Sequence, residues 1–216
     1  DHEGARNAFQ QALRIEDDFL PARLNLAQLD LVKGDRAAAK KRYEEILSFD
    51  ENNLKTLLAL ADLAKQDKDD VGLERWLEQA QSSHPDAIEP ALLLAEYYQR
   101  KGDYTNALLT ARQISVTHPR NPAVLMALVY IQIEAGKLED ARNTIRTLIE
   151  VSPDSPEANY LSGLLGLKLK ETTRARVHLQ KAIDVKADFP AAQLLLGRLY
   201  IGEKEYDAAM ALADDL

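Results

Sequence analysis

The chain has no cysteine. Disulfides, thiolate metal sites and cysteine nucleophiles are therefore excluded, while the compartment stays open, because cytosolic and periplasmic repeat proteins alike can lack cysteine. There is one tryptophan, Trp76, and no apolar run approaches the ~18 residues of a membrane-spanning helix. Glycine is scarce, with nine in 216 residues, and no phosphate-binding loop, nucleophile elbow or His-Glu-x-x-His sequence occurs. Cations are outnumbered. The net charge of −8 disfavours a nucleic-acid backbone as the main partner and is read first as solubility. The four histidines, His2, His84, His118 and His178, do not cluster along the chain. A metal would need ligands converging on one point, so no metal site, cofactor or catalytic residue is expected.

What the sequence does contain is a period. Ala5, Ala39, Leu73, Ala107, Ala141, Ala175 and Ala209 hold one phase at a spacing of 34, without insertion or deletion. With Leu20 as position 1, full repeats cover 20–53, 54–87, 88–121, 122–155 and 156–189, and a partial one covers 190–216. Residues 1–19 read as the second helix of a preceding repeat, with Ala5, Phe9, Ala12 and Ile15 on its apolar face. The whole of 1–216 is thus one array. It is expected to continue beyond both ends, since it starts within a repeat and stops within a helix at Asp214-Asp215.

Each repeat carries two apolar stripes with helical spacing. Positions 4, 7, 8 and 11 form the first (Leu57, Leu60, Ala61 and Ala64), and positions 20, 24, 27 and 30 the second (Ala141, Ile145, Leu148 and Val151). Between them lie the turns Lys33-Gly34-Asp35, Lys101-Gly102-Asp103 and Ala135-Gly136-Lys137, where glycine can take the left-handed conformation that ends a helix. Lys68, Lys170 and Lys204 replace it in three copies, each at an expected loss below ~1 kcal/mol. Pro85, Pro119 and Pro153 stop second helices. Pro90, Pro122, Pro156 and Pro190 fall in the first turn of the next helix, where a missing amide proton costs nothing. His84 and His118, each before a proline, are placed to meet carbonyls at the negative end of a helix. Trp76 adjoins core position 24 and is expected to pack in part.

This order of small-8, Gly-15, Tyr-17, Ala-20, Ala-27 and Pro-32 resembles the tetratricopeptide repeat. Gly102, Asp103, Tyr104, Ala107, Ala111 and Pro119 carry it best, followed by Gly163, Ala175, Leu179 and Ala182. No copy has tryptophan at position 4, and Glu51 and Ala187 replace proline 32. The resemblance implies an all-α, right-handed solenoid of stacked hairpins that binds a protein or peptide in a groove lined by first helices, at positions 2, 5, 9 and 12.

Position 5 reads Leu24, Leu58, Leu92, Met126, Tyr160 and Leu194. Position 9 reads Gln28, Asp62, Glu96, Tyr130, Leu164 and Arg198, and position 12 reads Leu31, Lys65, Gln99, Ile133, Leu167 and Ile201. Position 5 either packs between neighbouring first helices or opens on the groove. The other rows change from polar around Asp62 and Glu96 to apolar around Tyr130, Tyr160, Leu164 and Leu167, which marks the later repeats as the candidate binding surface. Position 5 is never basic, which disfavours capture of a C-terminal carboxylate. Position 6 has asparagine only at Asn25, which disfavours an asparagine ladder.

The phrasing of Phe19-Leu20-Pro21-Ala22-Arg23-Leu24-Asn25-Leu26-Ala27, of 85–95 and of 152–158 also resembles the bacterial TPR lipoproteins of the PEP-CTERM/exosortase system, the PrsT-like proteins. That resemblance implies an envelope-associated scaffold linked to exopolysaccharide export; otherwise a cytoplasmic scaffold is expected. Three alternatives stay open. One is a regulatory or targeting arm of an enzyme. Another is end-to-end self-association through Phe9 and Leu13 or Met210 and Leu212. The third is binding of an anionic polysaccharide, which the acidic balance disfavours.

Overall fold

The computed structural model describes residues 1–214. Among these residues there are thirteen helices and no strand. They are α1 (His2–Ile15), α2 (Leu20–Val32), α3 (Arg36–Leu47), α4 (Leu54–Asp67), α5 (Asp70–Ser83), α6 (Ile88–Arg100), α7 (Tyr104–Thr117), α8 (Pro122–Glu134), α9 (Leu138–Val151), α10 (Pro156–Lys168), α11 (Thr172–Val185), α12 (Pro190–Gly202) and α13 (Tyr206–Asp214). First helices begin at Leu20, Leu54, Ile88, Pro122, Pro156 and Pro190. The chain forms two compact units, Asp1–Leu94 and Ala95–Leu216, with the boundary inside α6.

The local signals explain where the helices start and stop. Asn53, Asn121 and Ser155 cap first helices, accepting from the amides of Thr56 (3.0 Å), Val124 (3.2 Å) and Ala158 (3.1 Å). Asp35, Asp69 and Asp103 cap second helices in the same way, at Ala38 (3.0 Å), Gly72 (2.9 Å) and Asn106 (3.1 Å). Each of these aspartates also closes the helix before it, because its own amide bonds back to a carbonyl five residues upstream. Asp35 N–H reaches Asp30 O at 2.9 Å, and Asp69 N–H reaches Ala64 O at 2.9 Å. That closure needs a left-handed residue just before it. Gly34, Gly102 and Gly136 supply φ of 81°, 75° and 71°, and Lys68, Lys170 and Lys204 adopt 58°, 61° and 63° in the same place. The tight turn is thus kept whether or not glycine is present.

Within unit 1 the α2–α3 and α4–α5 pairs form antiparallel hairpins, α1 packs on α2, and α3 packs on α4. The core there joins Ala27 of α2, Ala39, Tyr43 and Ile46 of α3, and Leu60 and Leu63 of α4. Unit 2 repeats the scheme. Leu125, Val129, Ile133, Ala141, Ile145, Leu148, Ala158, Leu161 and Leu165 join α8, α9 and α10 in one core. Ala175, Leu179, Ala182, Ala192, Leu196 and Leu199 join α11 to α12 in another. A second helix is therefore held between two first helices, each large side chain contributing roughly 1.5–3 kcal/mol through burial. Small residues set the spacing. A Cβ added at Gly163 would lie 2.6 Å from Leu179 Cγ, and one at Gly166 would lie 3.1 Å from Ala175 Cα.

Five placements differ from the stripe reading. Ile15 is 89% exposed, and α1 buries no residue completely. Ile133 is only 2% exposed and belongs to the core under α9, so the groove loses this member of the position-12 row. Asn159 and Gln193 occupy apolar position 4 and are buried. Asn159 is accommodated by donating its amide to Ser155 O (2.9 Å) and Pro153 O (3.2 Å). Asp30, at apolar position 11, is buried between Arg6 and Arg42, both at 2.6 Å. Burial pushes its pKa up, but the hydrogen bonds and charges of the two arginines outweigh that and hold the carboxyl below the usual carboxylate range.

Trp76 is half-buried against the unit 1 core, with the Arg75 guanidinium 4.0 Å from its ring centre. His84 and His118 are the C-cap residues of α5 and α7, as their prolines require. Their side chains do not bond to carbonyls. His118 Nδ1 meets Thr117 Oγ1 at 2.9 Å, and His84 Nδ1 has no hydrogen-bond partner among the described residues. Asp214 ends α13; Asp215 lies outside the described residues.

Candidate functional site

Helical spacing places positions 1, 2, 5, 6 and 9 on one side of each first helix, away from the stripe that meets the second helix. In unit 1 this side forms a cleft of about 710 Å³. Leu20, Pro21, Leu24, Asn25 and Gln28 of α2 line it, with Leu54, Lys55 and Ala59 of α4. Leu24 is half-buried against the core, and Gln28 is exposed. Buried Tyr43 forms part of the lining, and its hydroxyl pKa is raised by burial and by the Asp62 charge. Leu58 and Leu92 are half-buried. Asp62 is exposed and accepts from Gln66 at 2.6 Å. Lys55 holds position 2, one of the expected groove positions, and Asn25, at position 6, shares the face of positions 5 and 9.

In unit 2, α10 touches both α8 and α12. Tyr130 is 40% exposed on α8, and Leu194 and Ile201 are 55% and 56% exposed on α12. Met126 and Leu164 are half-buried against the α8–α10 core, and Leu167 against the α11–α12 core. Tyr160 touches both cores, and its ring lies 5.3 Å from that of Phe189. Burial raises its pKa, helped by Tyr130 and Glu134, so the phenol stays neutral throughout the physiological range. Glu96 and Arg198 are exposed. Position 5 is thus half core and half surface: its side chains fill the space between first helices while leaving an apolar edge outside.

Among the described residues, no group of three or more His, Asp or Glu could hold a metal ion. Within the same residues, no helix is long and apolar enough to cross a membrane. The arrangement offers surfaces of contrasting polarity on rigid helices.

The family model described as tetratricopeptide repeat matches residues 1–63, 98–165 and 167–216. No curated protein matches the sequence. Among solved structures, PilW, described as a widely conserved type IV pilus biogenesis factor, superposes with a TM-score of 0.72 at 16% identity, covering 88% of each chain. A tetratricopeptide repeat protein from Parabacteroides merdae ATCC 43184 gives 0.70 at 16% identity, covering 98% of this chain and 84% of its own. YrrB, described as a TPR protein with an unusual peptide-binding site, gives 0.68 at 17% identity, covering 86% of this chain and 95% of its own. At these identities the likeness is one of fold.

Proposed function

The chain belongs to the tetratricopeptide repeat family of protein-interaction scaffolds, and we propose that its partner is an apolar helix or extended peptide lying along the first helices of unit 2. The observation that carries this reading is the exposure of Tyr130, Leu194 and Ile201 at groove positions, beside half-buried Tyr160 and Leu164. Large apolar side chains left open to water cost free energy that a partner can recover, at roughly 25 cal/mol per Å² covered. Tyrosine adds a rigid ring with a polar tip, a frequent centre of binding energy. The peptide-binding site named for YrrB supports the same use of this fold. The scaffold acts by contact and positioning, not by catalysis.

The test is selection of peptides from a displayed library on the whole chain, followed by affinity measurement on a Tyr130→Ala/Tyr160→Ala variant. Affinity is expected to fall at least ~30-fold, the equivalent of about 2 kcal/mol. Unchanged affinity overturns the assignment. The finer reading, a PrsT-like scaffold of exopolysaccharide export, rests on the phrasing of the repeats alone. Exosortase or polysaccharide-export genes beside the gene for this protein would support it, and an unrelated neighbourhood would remove it.

A further inference from the structure

A second cleft lies on the other set of helices. Its volume is about 380 Å³, and its wall is made by Arg142, Ile145, Arg146, Ile149 and Glu150 of α9, Ser162 of α10, and Arg174 and His178 of α11. Three guanidiniums and an imidazole line one small space with Glu150 as the carboxylate of its wall, while Glu171 beside it pairs with two of the guanidiniums, in a chain whose net charge is −8.

The geometry leaves these cations incompletely satisfied. Arg146 donates to the amide oxygen of Asn143 at 3.0 Å and forms no ion pair among the described residues. Arg142 donates through Nη2 to Glu171 at 2.7 Å. Its Nε is sealed from solvent without a hydrogen-bond acceptor among the described residues, and a carboxylate oxygen of Glu139 stands 3.6 Å away, beyond hydrogen-bond range. Glu171 also takes Arg174 at 3.4 Å, so it anchors two guanidiniums at the edge of the cleft.

His178 is poised by its neighbours. Asn159 gives its amide hydrogens to the two carbonyls of Pro153 and Ser155, so its oxygen is the atom that meets His178 Nδ1 at 3.2 Å. Nδ1 must then carry the proton, which leaves Nε2 as the nitrogen that titrates. Burial, together with the charges of Arg174 and Lys181, lowers the imidazole pKa. Other charges around this ring are Arg142, Arg146 and Glu150 on α9. Lys181 itself lies 3.5 Å from Asp154.

We propose that this cleft is an oxyanion site, binding one carboxylate or sulfate-like group through the guanidiniums of Arg142, Arg146 and Arg174 with the protonated imidazole of His178. Planar guanidinium forks match such groups. A bound anion favours protonation of His178, so affinity rises as pH falls.

The test is titration of the whole chain with sulfate, whose charge is constant from pH 6 to 8, at an ionic strength held with chloride. The ring signals of His178 and the Nε–H signal of Arg142 are followed by NMR. Both are expected to shift together and saturate, with binding about 5-fold tighter at pH 6 than at pH 8. Arg146→Gln, at an exposed position, is expected to weaken binding about 10-fold. His178→Gln should keep binding while losing its pH dependence. A tetraglutamate peptide serves as competitor. Competition assigns the natural group to a carboxylate on a partner protein; saturation by sulfate without competition assigns it to a free oxyanion. Equal shifts from chloride alone, or unchanged binding by Arg146→Gln, overturn the site. The first-helix surface is untouched by either variant, so this result is independent of the peptide-binding test above.

Discussion

The first helices of the two units share one pattern of turns and stripes but show water different chemistry. On α2 and α4 the ninth position holds Gln28 and Asp62, beside a cleft edged by Asn25 and Lys55. On α8, α10 and α12 the same position holds Tyr130, Leu164 and Arg198, with Leu194 and Ile201 bare nearby. Positions 8, 20 and 27 carry the packing in both, whereas positions 5, 9 and 12 differ in chemistry between the units, with some members, such as Ile133 and Tyr160, also serving the core. Fold and recognition therefore overlap at those residues and separate at exposed ones such as Leu194 and Ile201.

The comparison can be broken most severely through the residues that hold one unit alone. Asp30→Asn leaves Arg6 and Arg42 facing a neutral amide in a buried place. We expect a loss of about 3 kcal/mol, the low end for a broken buried pair because both arginines are partly exposed. Lost amide-exchange protection should centre on α1 to α3. The same carboxylate sets a pH dependence. Its folded pKa lies below the unfolded value, so its contribution is complete above the unfolded pKa of about 4 and is lost as pH falls through the folded one. The stability gap between the parent and Asp30→Asn, measured by urea unfolding, should shrink from pH 7 to pH 3. A constant gap would refute the ion-pair account.

Gly163→Val is the counterpart in unit 2. Its new side chain meets Leu179 and the carbonyl of Ala175, so α10 and α11 must separate. About 2–3 kcal/mol should be lost, with exchange protection falling in α10 and α11. Next come changes aimed at binding, of which Tyr160→Ala also removes a ring packed against both unit 2 cores. The Tyr130→Ala/Tyr160→Ala variant should lose selected apolar peptides, while Gln28→Ala/Asp62→Ala should bind them within about 0.5 kcal/mol of the parent. Equal losses from both pairs would erase the distinction between the two faces. The smallest effect is at the turns. Lys68→Gly, Lys170→Gly and Lys204→Gly should each add up to ~1 kcal/mol, because glycine adopts φ near 60° without strain. Thermal unfolding of the triple variant below the parent's midpoint would contradict that.

Much of this was legible in the residues. Caps at Asp35, Asp69 and Asp103, left-handed turns at Gly34 and Lys68, and prolines in first turns all act over a few residues, and they recur. The buried polar positions were not legible. Nothing near Asp30 announces Arg6, which lies 24 residues away on another helix. Asn159 and Gln193 break the apolar stripe, and their burial follows from contacts made after the helices meet. Ile133 read as surface by register, yet it serves the core. The groove row was readable as a row, but the cleft of Arg142, Arg146, Arg174 and His178 was not, since its members come from two helices with Ser162 from a third.

The order of residues by itself determined helices, turns and hairpins, because caps, periodic apolar stripes and left-handed stops act within a few turns of the chain. Tertiary structure alone decided which polar groups would be enclosed, which apolar ones left bare, and where the arginines would gather. Burial and charge depend on distances between residues far apart in sequence, and those distances exist only once helix is laid on helix.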